Sequence, residues 1–419
     1  MPTPLRLAII GLGGFAGHHH RVALELEQTG EVRVVCTCDP APDAFVREQR
    51  EWRFTERGVI VYPDYLAMLA VHAHELDLLV VPTPVPLHAA MHRAGVERGI
   101  AVYLEKPPTL DHCQLEEMIA VERSAKKATF VGFNYIVEPP RLALKARICA
   151  GDFGAVREVL LSGLVARPEE YFQRNHWAGR LRADGHTILD SCLGNAMGHL
   201  AHNALFWGGG PETMSWAQLA RVEAELYRAN RIESADTVFV EAGTDRAVTL
   251  RLGLTHACRT TRDWKETVVC DRATIDYRFN RHAEIRWLDG RTECFSFPPF
   301  SHLLENHREY HRYLRGQSPR PLTTLADCRP FVWLNDLAFI SGEEITPLPS
   351  ETFADDWLGG KGTFRFVPGI ETAVSDFVER GIWPGRDRWP RPRPVRVSPA
   401  DLGRFSATLD RIAAHNQTA

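Results

Sequence analysis

The 419 residues contain no stretch of membrane-spanning length that is free of charges or prolines. The apolar run Leu7 to Ile10 stops at Gly11, too short for a signal-peptide core, so the chain reads as unexported and cytoplasmic. Net charge is also small: 49 Lys and Arg against 53 Asp and Glu leave −4. A nucleic-acid partner, which normally leaves a basic footprint, is thereby excluded. Cysteines number nine, are scattered, and lack zinc-knuckle spacing. Cys36 and Cys38 are separated by one residue, which puts both on one face of a strand, and the nine read as reduced thiols. Internal repeats are missing. What is present, 44% apolar and 24% charged residues, leaves out the disordered and fibrous classes. The length suffices for two domains.

From residue 1 to about 150 short β-branched runs alternate with amphipathic segments. Strands are predicted at Leu5–Ile10, Val32–Cys38, Val59–Tyr62, Leu78–Pro82, Ala101–Leu104 and Thr129–Asn134. Helices are predicted near 15–28, 41–50, 64–74, 86–98 and 110–126. Continuous apolar strands separated by helices imply a parallel, doubly wound α/β sheet. After Gly151-Asp152-Phe153-Gly154 the rhythm changes. One helix is expected from Ile188 to Trp207, stopped by Gly208-Gly209-Gly210. Residues 212–298 then read as strands in series, such as Thr237–Glu241, Val248–Leu254 and Glu266–Cys270. Strands without intervening helices are mostly antiparallel, which makes an α+β second domain. Helices follow near 301–316 and 325–342, a further one runs to Glu379, and a Pro/Arg-rich tail over 384–396 reads as extended. The expected division is a nucleotide-binding domain over 1–135, a substrate domain over 136–345, and an extension over 346–419 packed on both.

Gly11-Leu12-Gly13-Gly14-Phe15-Ala16-Gly17 follows the first strand and opens a helix. Gly11 permits a tight turn, Gly13 a close approach of backbone to a pyrophosphate, and Ala16 or Gly17 close helix–strand packing. Gly11, Gly13, Gly14, Phe15 and Ala16 are therefore candidate dinucleotide-binding residues, with helix N–H groups facing the phosphates. Asp39 ends the second strand, where a carboxylate accepts from ribose hydroxyls and repels a 2′-phosphate. No Arg or Lys follows in Pro40-Ala41-Pro42, so NAD is expected rather than NADP. Asp39 can also cap the next helix. His18, His19 and His20 read as a partly exposed helix turn, one of them near the cofactor.

Val80-Val81-Pro82-Thr83-Pro84-Val85-Pro86-Leu87-His88 and Leu104-Glu105-Lys106-Pro107 together resemble the glucose–fructose oxidoreductase / inositol dehydrogenase / MocA family. The resemblance continues through Val131-Gly132-Phe133-Asn134-Tyr135, Ile148 to Gly154, and Asn335 to Ser341. It implies that Thr83, Pro84 and His88 line the nicotinamide, with Glu105 and Asn134 near the cofactor. It implies that Lys106 lies beside the substrate carbon exchanging hydride. It also implies dimers or tetramers, and a sheet face left uncovered by helices would supply the interface. His199 is the expected general base. Many family members carry an Asp four residues before that His; here Asn195 holds the place, and Asp190 lies nine before. Asp190 and Asn195 are both carried as catalytic candidates, Asp190 as a possible substitute carboxylate.

Substrate contacts are expected from Tyr135 and from Arg174, His176 and Trp177, a segment dense in donors around one aromatic. The His199/His202 and His307/His311 pairs have metal-ligand spacing but no supported third ligand, so no metal is expected. The leading expectation is reversible NAD-dependent oxidation of a secondary alcohol on a sugar, glycoside or polyol. The alternative is a glycoside-cleaving enzyme that uses tightly held NAD for transient oxidation and elimination. A non-enzymatic dinucleotide sensor is the third class, disfavoured by retention of Lys106 and His199.

Overall fold

The computed structural model describes the chain except residues 1, 2, 263, 358–361, 387, 390, 392 and 419. It divides into two compact units. The first comprises Met1–Thr109, Cys113–Val137 and Ser301–Cys328; the second comprises Leu110–His112, Glu138–Phe300 and Arg329–Ala419.

The first unit is built on β1 (Leu5–Ile10), β2 (Val32–Cys38), β3 (Ile60–Tyr62), β4 (Leu78–Val81), β5 (Ala101–Glu105) and β6 (Phe130–Gly132). All pairs are parallel and the order is β3-β2-β1-β4-β5-β6. Every residue of β4 and β5 is buried, which is why these strands read as unbroken apolar runs rather than alternating ones. The crossovers carry α1 (Ala16–Gln28), α2 (Val46–Glu51), α3 (Phe54–Arg57), α4 (Tyr65–His72), α5 (His88–Glu97) and α6 (His112–Glu122). This is the dinucleotide-binding order, with its reversal between β1 and β4.

The second unit holds α7 (Pro139–Cys149), β7 (Val156–Leu164), a short hairpin β8 (Arg182–Ala183) and β9 (His186–Thr187), and α8 (Gly198–Gly208). Then come β10 (Leu219–Arg228), β11 (Thr237–Thr244), β12 (Thr249–Thr255), β13 (Lys265–Cys270), β14 (Ala273–Arg278), β15 (His282–Trp287) and β16 (Thr292–Ser296). After α9 (His302–Leu314) follow α10 (Arg329–Gly342), β17 (Thr346–Pro347), β18 (Ala354–Trp357), β19 (Thr363–Phe366), α11 (Ile370–Arg380) and α12 (Phe405–Thr418). Nine strands form one sheet in the order β16-β15-β14-β13-β7-β12-β11-β10-β17. Only β7–β12 and β10–β17 pair parallel, so the sheet is mainly antiparallel as expected.

Three expectations need correction. The helix α9 lies in the first unit, where Leu304 and Tyr310 join the core around Leu7, Val80 and Phe130, so the substrate domain is not one continuous segment. Residues after 345 belong to the second unit rather than forming a separate extension. Most consequential, the large sheet does not leave its central strands open on one side. A Cβ at Gly163 would meet Met197 and Leu200 on the α8 face, whereas one at Gly253 would meet Val374 and Val378 of α11. Val374, Phe377 and Val378 bury that second face together with Tyr227, Phe239 and Trp389. The tail over 384–396 is extended only in part: Pro384 O accepts from Arg388 N–H and Trp389 N–H in a turn, whereas Val395 N–H donates to Ser341 O and Val397 bridges Val222, and 387, 390 and 392 lie outside the described residues.

Candidate active site

The turn after β1 takes its shape from glycine and from Asp39. Gly11 and Gly14 hold φ of +103° and +56°, conformations that a side chain disfavours. One Asp39 oxygen accepts Leu12 N–H at 3.0 Å, and the other accepts Ala41 N–H at 3.0 Å. Asp39 therefore ties the glycine turn to the segment after β2. It does not cap the helical turn that follows, whose N-terminal flanking residue is Ala41, without a side-chain bond. A Cβ at Gly13 would lie 2.7 Å from the Phe45 ring, so this glycine makes room for Phe45. α1 begins at Ala16 with no side-chain cap and no acidic residue in its first turn, while Phe15 is exposed. An uncapped N-terminus beside a fixed ribose-type carboxylate suits a dinucleotide.

The histidine run differs from its expected exposure. His19 and His20 are fully buried, and only His18 faces outward. His20 stacks on Trp52 at 4.4 Å and donates through Nε2 to Gly11 O at 3.0 Å, bracing the turn from behind. Burial pushes its pKa down to about 3, so the ring is neutral.

On the same carboxyl edge, Thr83 and exposed Pro84 follow β4, and half-buried Lys106 follows β5. The Thr83 hydroxyl reaches Met91 Sδ at 3.3 Å. His88 is fully buried rather than lining a surface: Nε2 lies 2.8 Å from Thr83 O and Nδ1 2.9 Å from Pro107 O. It joins the two loops from behind, and burial lowers its pKa despite both carbonyls. Glu105 is buried, with Oε1 3.1 Å from His19 Nε2 and Oε2 accepting Lys106 N–H at 3.2 Å. Asn134 is held by Asn306 Nδ2, which donates to its backbone and side-chain oxygens. Tyr135, half-buried, meets His302 edge-on at 5.1 Å.

In the second unit the expected helix over 188–207 is broken. Leu189 takes φ +44°, Cys192–Ala196 forms a single π-helical turn, and α8 starts only at Gly198. Such turns often sit at functional positions. Gly194 is required there, because a Cβ would lie 2.9 Å from Leu189 O and 3.0 Å from Asn335 Oδ1. Half-buried His199 occupies the first turn of α8. Asn195 Nδ2 donates to Asp190 Oδ1 at 2.6 Å. Asp190 Oδ2 accepts from Gly179 N–H at 2.7 Å and from Arg174 at 3.0 Å. Buried and triply bonded, Asp190 is placed to orient Asn195. Arg174 lies over the Tyr171 and Trp177 rings at 4.0 and 5.0 Å, which makes it part of the frame. His176 is exposed and paired with Asp184 at 2.7 Å.

Sequence reasoning missed what anchors α8. Glu266 accepts from Arg141, Asn203 and Trp207, all buried. Lys145, also buried, donates to Phe206 O at 2.5 Å and Gly209 O at 2.6 Å, closing the helix C-terminus. Burial pushes its pKa down to about 8. The basic residues on the buried face of α7 were the available signal.

Residues 5–133 match the model of an oxidoreductase family with an NAD-binding Rossmann fold, the Gfo/Idh/MocA family. Over these residues the chain carries that family's NAD-binding domain. It is 30% identical over 161 residues to dTDP-3,4-didehydro-2,6-dideoxy-alpha-D-glucose 3-reductase of Actinomadura kijaniata, spanning 38% of this chain and 46% of that protein. It is 28% identical over 162 residues to scyllo-inositol 2-dehydrogenase (NAD(+)) of Bacillus subtilis, 37% of this chain and 43% of that protein. These matches span less than half of each relative's length. The solved WlbA dehydrogenase of Chromobacterium violaceum, in complex with NADH and UDP-GlcNAcA, superposes with a TM-score of 0.66 at 20% identity. That superposition covers 81% of this chain and 94% of the other, and shows a common fold. No helix among the described residues is long and apolar enough to cross a membrane.

Proposed function

We propose that this chain transfers hydride between NAD(H) and a secondary alcohol carbon of a sugar, glycoside or polyol. The reading rests on one observation: the glycine turn, Asp39, Thr83 and Lys106 all follow strands of one parallel sheet at their carboxyl ends. Open α/β sheets bind ligands at that edge. The sugar and inositol substrates in the relatives' names support the substrate class. When bound, the nicotinamide supplies the hydride acceptor or donor. Asp39 keeps lone pairs for the ribose hydroxyls while its two oxygens hold the turn. The Lys106 ammonium donates to the substrate oxygen and favours its alkoxide character. His199 takes the hydroxyl proton. Asn195, fixed by Asp190, orients the substrate through its amide.

The test uses Lys106→Met and His199→Asn, checked by circular dichroism and melting, on a panel of sugars, glycosides and polyols. Loss of a positioned acid or base lowers kcat/KM about 100- to 10,000-fold. Wild-type turnover by both variants rejects the assignment. Following aglycone as well as NADH on the panel separates net oxidation from glycoside cleavage: aglycone without net NADH replaces the redox reading with the elimination one.

A further inference from the structure

His19 and His307 are among the buried imidazoles that the roles above leave unused. Glu105 ends β5 inside the first unit, and the chain makes space for it, because a Cβ at Gly132 would lie 2.7 Å from its Oε1. That oxygen is 3.1 Å from His19 Nε2, and His19 Nδ1 is 2.9 Å from His307 Nε2. His307 stacks face to face on Tyr103, with ring centroids 4.7 Å apart. Three elements distant in sequence, α1, β5 and α9, thus converge on one hydrogen-bonded line. At its far end His307 Nδ1 and the Tyr103 hydroxyl are buried with no hydrogen-bond partner among the described residues.

Proton counting gives the line a direction. A neutral imidazole carries one N–H and one acceptor nitrogen. Burial holds the His307 pKa well below its usual range, so that ring is neutral. If His307 Nε2–H donates to His19 Nδ1, then His19 Nε2–H donates to Glu105 Oε1, and Lys106 N–H donates to Oε2. Each group then uses one donor and the carboxylate receives both ends. The reverse order leaves the His19 Nε2 lone pair facing Oε1 and needs one further proton between them. The other groups around Glu105 are His88 from α5, Tyr103 of β5 itself and Lys106; His311 lies beside His307, and Arg308, Arg315 and Glu31 lie around His311.

We propose that His19 and His307 are positioning residues, a buried relay that holds Glu105 as a fixed two-sided acceptor and so aims the Lys106 backbone. The inference rests on the reading of Lys106 as the residue beside the reacting carbon. Neither histidine touches substrate; both act through Glu105.

The experiment compares His19→Ala, His19→Gln and His307→Leu in the full chain. Removing a hydrogen bond to a charged group is expected to lower kcat about 10- to 100-fold, with KM within about twofold. His19→Gln, whose amide N–H replaces the donor to Glu105, recovers most of the lost kcat. Amide hydrogen exchange at Lys106 supplies a readout independent of turnover: its N–H, which donates to Glu105 Oε2, exchanges faster in His19→Ala than in wild type and is protected again in His19→Gln. Should His19→Ala fail to fold, His19→Gln and His307→Leu carry the kcat and exchange comparison. A lowered melting temperature with unchanged kcat and unchanged Lys106 exchange overturns the relay. Wild-type turnover by Lys106→Met overturns the catalytic reading instead, and leaves the exchange result to decide the relay alone.

Discussion

Asp39 is held by two backbone N–H groups from separate segments, Leu12 in the glycine turn and Ala41 after β2. Its geometry therefore exists before any nucleotide arrives, which is the condition for a carboxylate to discriminate rather than merely attract. Asp39→Asn keeps an oxygen for one of the two donors but loses the charge. We expect the KM for NAD to rise about tenfold, from the weakened hydrogen bonds to the ribose, with kcat little changed. NADP, no longer repelled at its 2′-phosphate, should gain relative to NAD. Steady-state kinetics with both nucleotides checks this; an unchanged NAD/NADP ratio removes Asp39 from the discrimination. His88 makes the contrasting case at the same scale. Its position in the motif suggested a lining residue, and the structure makes it a clamp between two backbone carbonyls.

Among the elements, α8 depends on charges that never reach water. Arg141 is fully buried on α7, bonded to Glu266 and Glu138, and lies against the faces of Tyr277 and Trp207 at 4.4 and 5.1 Å. Glu138 also accepts from the Tyr277 hydroxyl and Asn280 N–H. A network satisfied to this degree is stable, but removing one member strands the rest. Glu266→Ala is expected to cost about 3–5 kcal/mol in urea unfolding, since it leaves a buried guanidinium short of its main acceptor. Adding Arg141→Met should recover part of that loss; a loss below about 1 kcal/mol for Glu266→Ala would show that the charge is solvated. The parallel sheet was legible in the sequence because fully buried strands alternate with amphipathic helices over short spans. The glycine turn, Asp39 and Glu105-Lys106-Pro107 were legible because their chemistry is local. The start of α8 was not: Ile188 to Trp207 mixes apolar residues with scattered polar ones without a break in pattern, and periodicity cannot register a π-turn or the positive φ of Leu189. Nor could it show α9 joining the first unit, which depends on partners some 200 residues away in the chain, such as Tyr103 and Phe130.

At the scale of the whole molecule, histidine burial governs the response to acid. Of the 18 histidines, His20 is held down to about pKa 3 and His92, His256 and His311 to about 4, in each case chiefly by desolvation. They lie in both units, so the effect is general rather than confined to one hinge. The sign follows from linkage. Above the unfolded value of 6.5 these rings are neutral in both states and their contribution is complete. Below it the unfolded chain binds protons that the folded chain refuses, so unfolding free energy falls with pH down to about 4, and to about 3 for His20. Each such ring contributes about 1.4 kcal/mol per pH unit over its window. Four acting together amount to several kcal/mol between pH 6.5 and 5, against a total stability of roughly 5–15 kcal/mol. Urea midpoints should therefore fall steeply from pH 7 to 5, with an uptake of about three to four protons on unfolding attributable to these rings. His92 offers the control, because its Nε2 meets the Thr129 hydroxyl at 3.0 Å and a glutamine amide can replace that bond without titrating. His92→Gln should lower the proton uptake by about one near pH 5. A wild-type midpoint that stays level over this interval would mean that protons reach these imidazoles in the folded chain.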